Sequence, residues 1–155
     1  MTYLSDFPVD TELTAERAKE TTISHLEAMI GGFTGEASLR RYMATADTLT
    51  SCLMDKSADE PPQKFMVSYS VDGTSGRAGL HEFMEAWRKM GWEVGYKAGR
   101  KMVDVETKVV GGITPDRYSL NLQMFNDEKL VVTAVSPCFP FDRDAHAKTI
   151  PPTIP

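Results

Sequence analysis

Residues 109–135 read VVGGITPDRYSLNLQMFNDEKLVVTAV. Within this run Tyr118, Leu120, Leu122 and Met124 alternate with Arg117, Ser119, Asn121 and Gln123. A strict period of two puts the first set on one face of a β-strand and the second on the other, so one face meets water and one meets a core. Asn126-Asp127 supplies a turn, and Leu130 to Val135 supplies the next strand. Upstream, Gly111-Gly112 and Pro115-Asp116 read as the turn that precedes Tyr118. Closely spaced strands joined by short polar turns predict an antiparallel meander.

The same period extends toward the N-terminus. Val103, Val105, Thr107 and Val109 predict one strand, and Trp92, Val94 and Tyr96 a short one before it. The pattern then changes. Leu80, Phe83, Met84, Trp87 and Met90 form the apolar stripe of an amphipathic helix, capped by Thr74 or Ser75 and closed by Gly91. Phe65, Val67, Tyr69 and Val71 alternate again, as a half-buried strand ending at Asp72-Gly73. Ala46–Lys56 predicts a strand bearing Cys52, separated from the next by Asp59-Glu60-Pro61-Pro62. Phe33–Thr45 reads as a short helical turn or packed loop. Thr14–Ile30 reads as a helix with Thr14 as N-cap and Glu16 in its first turn, stopped by Gly31-Gly32 in a left-handed conformation. The predicted fold class is α+β with order α-β-β-α-β-β-β-β. It is a two-layer sandwich, an antiparallel meander sheet with two helices packed on one face. Residues 1–13 are an N-terminal extension, 14–141 a single domain, and 142–155 a Pro-rich tail expected to be flexible.

A chain of 155 residues has room for one core of this kind. Its 41% hydrophobic and 25% charged residues exclude disordered, collagen-like and disulfide-dense toxin classes. Seventeen Lys+Arg against 22 Asp+Glu give −5, the wrong sign for a nucleic-acid binder. No apolar run approaches the roughly 20 residues of a transmembrane helix, and Met1–Asp10 carries no signal-peptide pattern as written.

Two cysteines cannot complete a zinc site and are too far apart for a CxxC motif. Three states remain open: two buried thiols, a disulfide between Cys52 and Cys138, or a reactive Cys138. A disulfide would close a loop of about 87 residues and stabilise by roughly 4–5 kcal/mol on the chain-entropy account. It would also require an oxidising compartment.

The order of features carries a resemblance. An N-terminal helix precedes a strand with Cys52. A later helix ends Trp87-Arg88-Lys89-Met90-Gly91-Trp92, and the last strand runs into Ser136-Pro137-Cys138. From Thr14 to Phe139 this resembles a set of small secreted proteins and lipoproteins of actinobacteria, in which a helix closes in a Gly-Trp or Gly-Tyr step and the domain ends in Ser/Thr-Pro-Cys. The resemblance implies that Cys52 and Cys138 pair across the sheet. It also implies a mature domain outside the cytoplasm, although this chain shows no lipobox cysteine. The set brings no catalytic residues to transfer.

Other strings carry partial chemical motifs. His81-Glu82 with Glu85 makes HExxE, which lacks the second imidazole of a zinc-protease helix. Asp142, Asp144 and His146 alternate as D-x-D-x-H, in the tail, where holding a cation would cost ordering entropy. Gly73, Gly76 and Gly79 match neither a dinucleotide nor a Walker loop, though a helix N-terminus beside Arg77 can meet an anion. No G-x-S-x-G is present, and only His25, His81 and His146 offer an imidazole base. Gly95–Lys101 is the one local basic cluster, expected as a solvated hairpin turn. With Trp92 it forms the possible binding set of Trp92, Tyr96, Lys97, Arg100 and Lys101. Trp87 and Trp92 also read as core anchors. The resulting expectation is a non-enzymatic, extracellular or cell-envelope binding domain with no cofactor, no metal and a protein or envelope partner. The alternative is a cytoplasmic immunity or inhibitor protein whose acidic charge masks a basic partner.

Overall fold

The computed structural model describes residues 9–32, 37–41, 48–52, 61–97, 100–101, 109–125 and 128–141. Its elements run α1 (Ala15–Gly31), β1 (Ser38–Arg41), β2 (Thr48–Ser51), β3 (Gln63–Asp72), α2 (Gly76–Lys89), β4 (Glu93–Val94), β5 (Tyr96–Lys97), β6 (Arg100–Lys101), β7 (Val109–Ile113), β8 (Ser119–Met124) and β9 (Leu130–Val135). Seven strands form one open antiparallel sheet in the order β1-β3-β9-β8-β7-β4, with β2 also paired to β3; β5 and β6 form a separate two-stranded ribbon. The class is α+β, as the periodicity predicts.

Register explains the two faces. Phe65, Val67, Tyr69 and Val71 of β3 line up with Leu130, Val132 and Ala134 of β9 and with Leu120, Leu122 and Met124 of β8, all in one core. Ala18, Leu26 and Met29 of α1, with Leu80, Phe83, Met84 and Trp87 of α2, close that core from above. The alternate positions carry Ser68, Thr133, Asn121 and Gln123, and the Ser68 and Thr133 hydroxyls bond at 2.8 Å. Alternation at period two thus gives β8 an apolar and a polar face, while β9 keeps Val131 and Val135 beside Thr133 on the second face.

Local chemistry sets the helix ends. The Thr14 hydroxyl accepts the Arg17 backbone N–H at 3.2 Å, satisfying one orphan donor of α1. The C-terminus of α1 departs from expectation. Gly31 is helical and Gly32 keeps a right-handed φ of −82°, its N–H donating to Ala28 and Ile30 carbonyls. The second helix ends as predicted, with Gly91 at φ +83° just past the Met90 cap.

Three further readings are corrected. Ser38–Arg41, within the run read as a helical turn or loop, is a strand, because the ten-residue β3 offers its edge to both β1 and β2. Gly111-Gly112 is not a turn but lies inside β7, paired with Asn121 and Leu120. The turn is instead Thr114–Arg117, with Arg117 at φ +72° and its N–H on the Thr114 carbonyl at 2.9 Å. Trp92 precedes rather than starts its strand: only Glu93–Val94 pairs with β7, and the chain bends at Gly95 (φ +95°) before Tyr96. Of the strand read through Val103, Val105 and Thr107, only Val109 falls within the described residues; the tail motif Asp142, Asp144 and His146 lies outside them.

The chain crosses to the disulfide through a bulge. Ser136 N–H donates to the Phe65 carbonyl at 2.9 Å, while Phe139 exchanges both backbone bonds with Gln63 at 2.8 and 2.9 Å. Pro137 and Cys138 therefore stand opposite Lys64 alone, a one-residue insertion. Cys138 bonds Cys52 with a Cα–Cα separation of 6.2 Å, and both cysteines are buried. The surrounding backbone is also tied: Cys52 N–H reaches the Pro62 carbonyl, and Asp10 N–H reaches the Cys138 carbonyl, each at 2.8 Å.

Candidate functional site

Two places bring chemistry-bearing residues together. The first is built by the turn between β7 and β8. Thr114 and Tyr118 exchange backbone contacts, with Thr114 N–H on the Tyr118 carbonyl and Tyr118 N–H on the Thr114 hydroxyl, both at 2.9 Å. That closure holds Asp116 at the tip, where the Thr114 hydroxyl donates to Oδ1 at 2.6 Å. Helix α1 brings His25 to the same carboxylate, with Nε2 at 2.9 and 3.0 Å from its two oxygens. The imidazole packs edge-on to Trp92 at 5.8 Å between centroids and tilted against Tyr118 at 4.9 Å.

Electrostatics at Asp116 are a contest. Burial alone would raise its carboxyl, but hydrogen bonds from Thr114 and His25, together with attraction to His25, hold it below the usual carboxylate range. Burial pushes the Tyr118 phenol up, against an opposing hydrogen bond with Thr21. The Thr114 hydroxyl is committed to Asp116 rather than to the imidazole, so the group acts as a clasp between α1 and the turn. Sequence reading missed this pair because 91 residues separate its members. The only signal was His25 itself at the polar edge of the helix stripe.

The second place is the β5–β6 ribbon. Tyr96 stands opposite Lys101, and Lys97 opposite Arg100. The ribbon is fixed to the sheet at its base, where Gly95 N–H donates to the Gly111 carbonyl at 2.7 Å. Four of the five residues in the predicted binding set fall here. Trp92 does not join them: it is 7% exposed and packs on Trp87 at 5.8 Å, in the core-anchor role.

The remaining sequence candidates are dispersed. His81, Glu82 and Glu85 are exposed on α2, and Glu85 pairs with Arg88 one turn on at 2.6 Å. At the N-terminus of α2, Gly76 N–H donates to the Glu128 carbonyl at 2.8 Å. A Cβ on Gly76 would stand 3.6 Å from the Glu128 side-chain carboxyl carbon, so a carboxylate lies close to the positive end of α2. Gly79 is used for close packing instead: a Cβ there would meet Leu130 Cδ1 at 2.8 Å. Among the described residues no group of three or more His, Cys, Asp or Glu side chains is arranged to hold a metal ion, and no helix is long and apolar enough to cross a membrane.

Comparison with protein-family models, with curated proteins and with solved structures finds no match to this chain.

Proposed function

We propose that this chain is an extracytoplasmic binding domain, secreted or envelope-associated, that works by contact rather than by catalysis. The observation that carries this reading is the buried Cys52–Cys138 disulfide, since such bonds persist in oxidising compartments and are rare in the cytosol. The β5–β6 ribbon, with Tyr96, Lys97, Arg100 and Lys101, is the proposed contact element. It gathers three of the chain's 17 Lys+Arg on a body whose net charge is −5. Such local reversal of charge orients an encounter with an anionic partner.

The test is intact mass after thiol blocking without reductant, on protein recovered from the cells that make it, with its fraction recorded. The expected result is a mass two hydrogens below the reduced value, no blocking groups, and recovery from medium or envelope. Two blocked thiols in a cytosolic fraction would overturn the reading and favour an acidic inhibitor that masks a basic partner.

A further inference from the structure

The C-terminal ends of the two helices meet at one sulfur. A Cβ built on Gly32, the C-cap of α1, would stand 2.9 Å from Met90 Sδ and 3.6 Å from Met90 Cγ. Met90 is itself the C-cap of α2. Its thioether therefore lies against bare backbone of α1, and both Met90 and Ile30 are partly buried against the core. A thioether fills such a gap well, because it is apolar, flexible and only a weak acceptor. A strong acceptor would be out of place there. The last carbonyls of a helix lack intrahelical donors and form the negative end of its dipole. The Ala28 carbonyl oxygen lies 3.3 Å from the same Cβ position. The nearby backbone N–H groups are already committed: Gly32 donates to Ala28, Met90 to Ala86, Gly91 to Arg88 and Trp92 to Trp87. Arg88 pairs with Glu85, and Lys89 is exposed.

Access singles out the same residue. Of the chain's nine methionines, Met29, Met66, Met84, Met90 and Met124 are among the described residues. Met29, Met84 and Met124 are buried, whereas Met66 and Met90 are partly exposed. Met66 alternates with Phe65 and Val67 and so lies on the face of β3 turned from the helices. Among these five, Met90 alone is both partly exposed and seated between the helix ends.

We infer that Met90 is a peroxide-sensitive latch, whose oxidation to the sulfoxide loosens the last turn of α1 from α2. The oxidant is a hydroperoxide, with hydrogen peroxide the simplest case. The sulfur lone pair attacks one peroxide oxygen, the O–O bond breaks and an S–O bond forms. The other oxygen leaves as water with both protons. The sulfur gives up two electrons and the peroxide takes them. The product is a polar acceptor in place of an apolar contact. It faces helix carbonyls rather than free backbone donors, so the oxidised side chain leaves its seat on Gly32. This inference rests neither on the compartment reading nor on the ribbon.

The experiment treats the full chain, disulfide intact, with hydrogen peroxide and follows three readouts. Peptide mass mapping should show one added oxygen at Met90 before Met29, Met84 or Met124 gains any. The backbone amide signals of Ile30, Gly31, Gly32 and Gly91 should shift, and the melting temperature should fall by about 2 °C or more. Met90→Leu, a volume-conserving change, should fold as the wild type does and lose much less of its melting temperature to peroxide. Methionine sulfoxide reductases, once mass shows the oxygen removed from Met90, should restore the wild-type melt. Three results would overturn the inference. Met90 could oxidise no faster than buried Met29. The oxidised protein could keep its melting temperature and amide signals. Met90→Leu could lose as much as the wild type, or the reduced protein could fail to recover, placing the damage elsewhere.

Discussion

Trp87 and Gly112 compete for one volume. A Cβ at Gly112 would stand 2.5 Å from Trp87 Cε3 and 2.8 Å from Cζ3, so the largest side chain of α2 sits where the sheet has none. Trp87 is fully buried, and its neighbours cannot move aside without disturbing Trp92. Gly112→Ala should therefore destabilise by about 1–3 kcal/mol through overpacking. Urea unfolding should show a lower midpoint with an unchanged slope. A neutral substitution would mean that α2 can lift from β7 at little cost.

Two glycines on the helices should respond with opposite signs. Alanine is favoured over glycine in a helix by about 1 kcal/mol. At Gly31 nothing lies within 4 Å of an added Cβ, so Gly31→Ala should raise the melting temperature. At Gly79 the Cβ would meet Leu130 Cδ1 at 2.8 Å and Thr74 Oγ1 at 2.9 Å, so Gly79→Ala should lower it. Thermal melts of the two variants side by side check the ordering.

Reduction of the disulfide should be costly. Bond formation closes 86 residues of sequence separation, and loss of a native disulfide commonly costs about 2–5 kcal/mol. The double variant Cys52→Ser with Cys138→Ser should lower the denaturation midpoint accordingly. It should also remove the sensitivity of the wild type to reductant.

Asp116 should shape the acid limb of stability. Its folded carboxyl titrates below its unfolded value, so its contribution is present above the ordinary carboxylate range. It is lost as pH falls through the depressed folded value. The side chain is 51% exposed, which limits the effect to under about 1 kcal/mol after screening. The gap between wild type and Asp116→Asn should narrow below about pH 4 as the carboxyl protonates. Urea midpoints across the acid range measure it. A gap that widens below about pH 4 would contradict the assignment.

The last two strands, both helices and the α+β class could be read from sequence because each rests on a local period. Tyr118 to Met124 alternates, and Leu80 to Met90 follows a helical stripe, whatever the rest of the chain does. The disulfide followed from the resemblance, with loop entropy making it physically sensible. Other features depended on partners far away. Ser38–Arg41 has one apolar residue and no alternation, and it becomes a strand only because β3 is long enough to pair twice. Gly111-Gly112 carries a strong turn signal, yet the absence of a side chain at Gly112 serves Trp87. The His25–Asp116 pair has no local signature beyond the place of His25 on its helix, since 91 residues separate the two. In the binding set, Tyr96, Lys97, Arg100 and Lys101 fall on one ribbon because they are near neighbours in sequence. Trp92 is adjacent to them in sequence, while its burial is decided by Trp87 and His25.

The bond from Asp10 N–H to the Cys138 carbonyl has a mechanical meaning. It places the two described ends of the chain at the same corner as the Cys52–Cys138 link. Tension applied to those ends would run along the backbone to Cys52, cross the sulfurs, and leave through Cys138. Residues 53–137 hang as a covalently closed loop beside that line and bear none of the load. Helix α2, strands β3 to β9 and the basic ribbon would keep their shape while α1, β1 and β2 peeled away. Pulled at those ends, the domain would lose its first helix before the disulfide-closed part of the sheet.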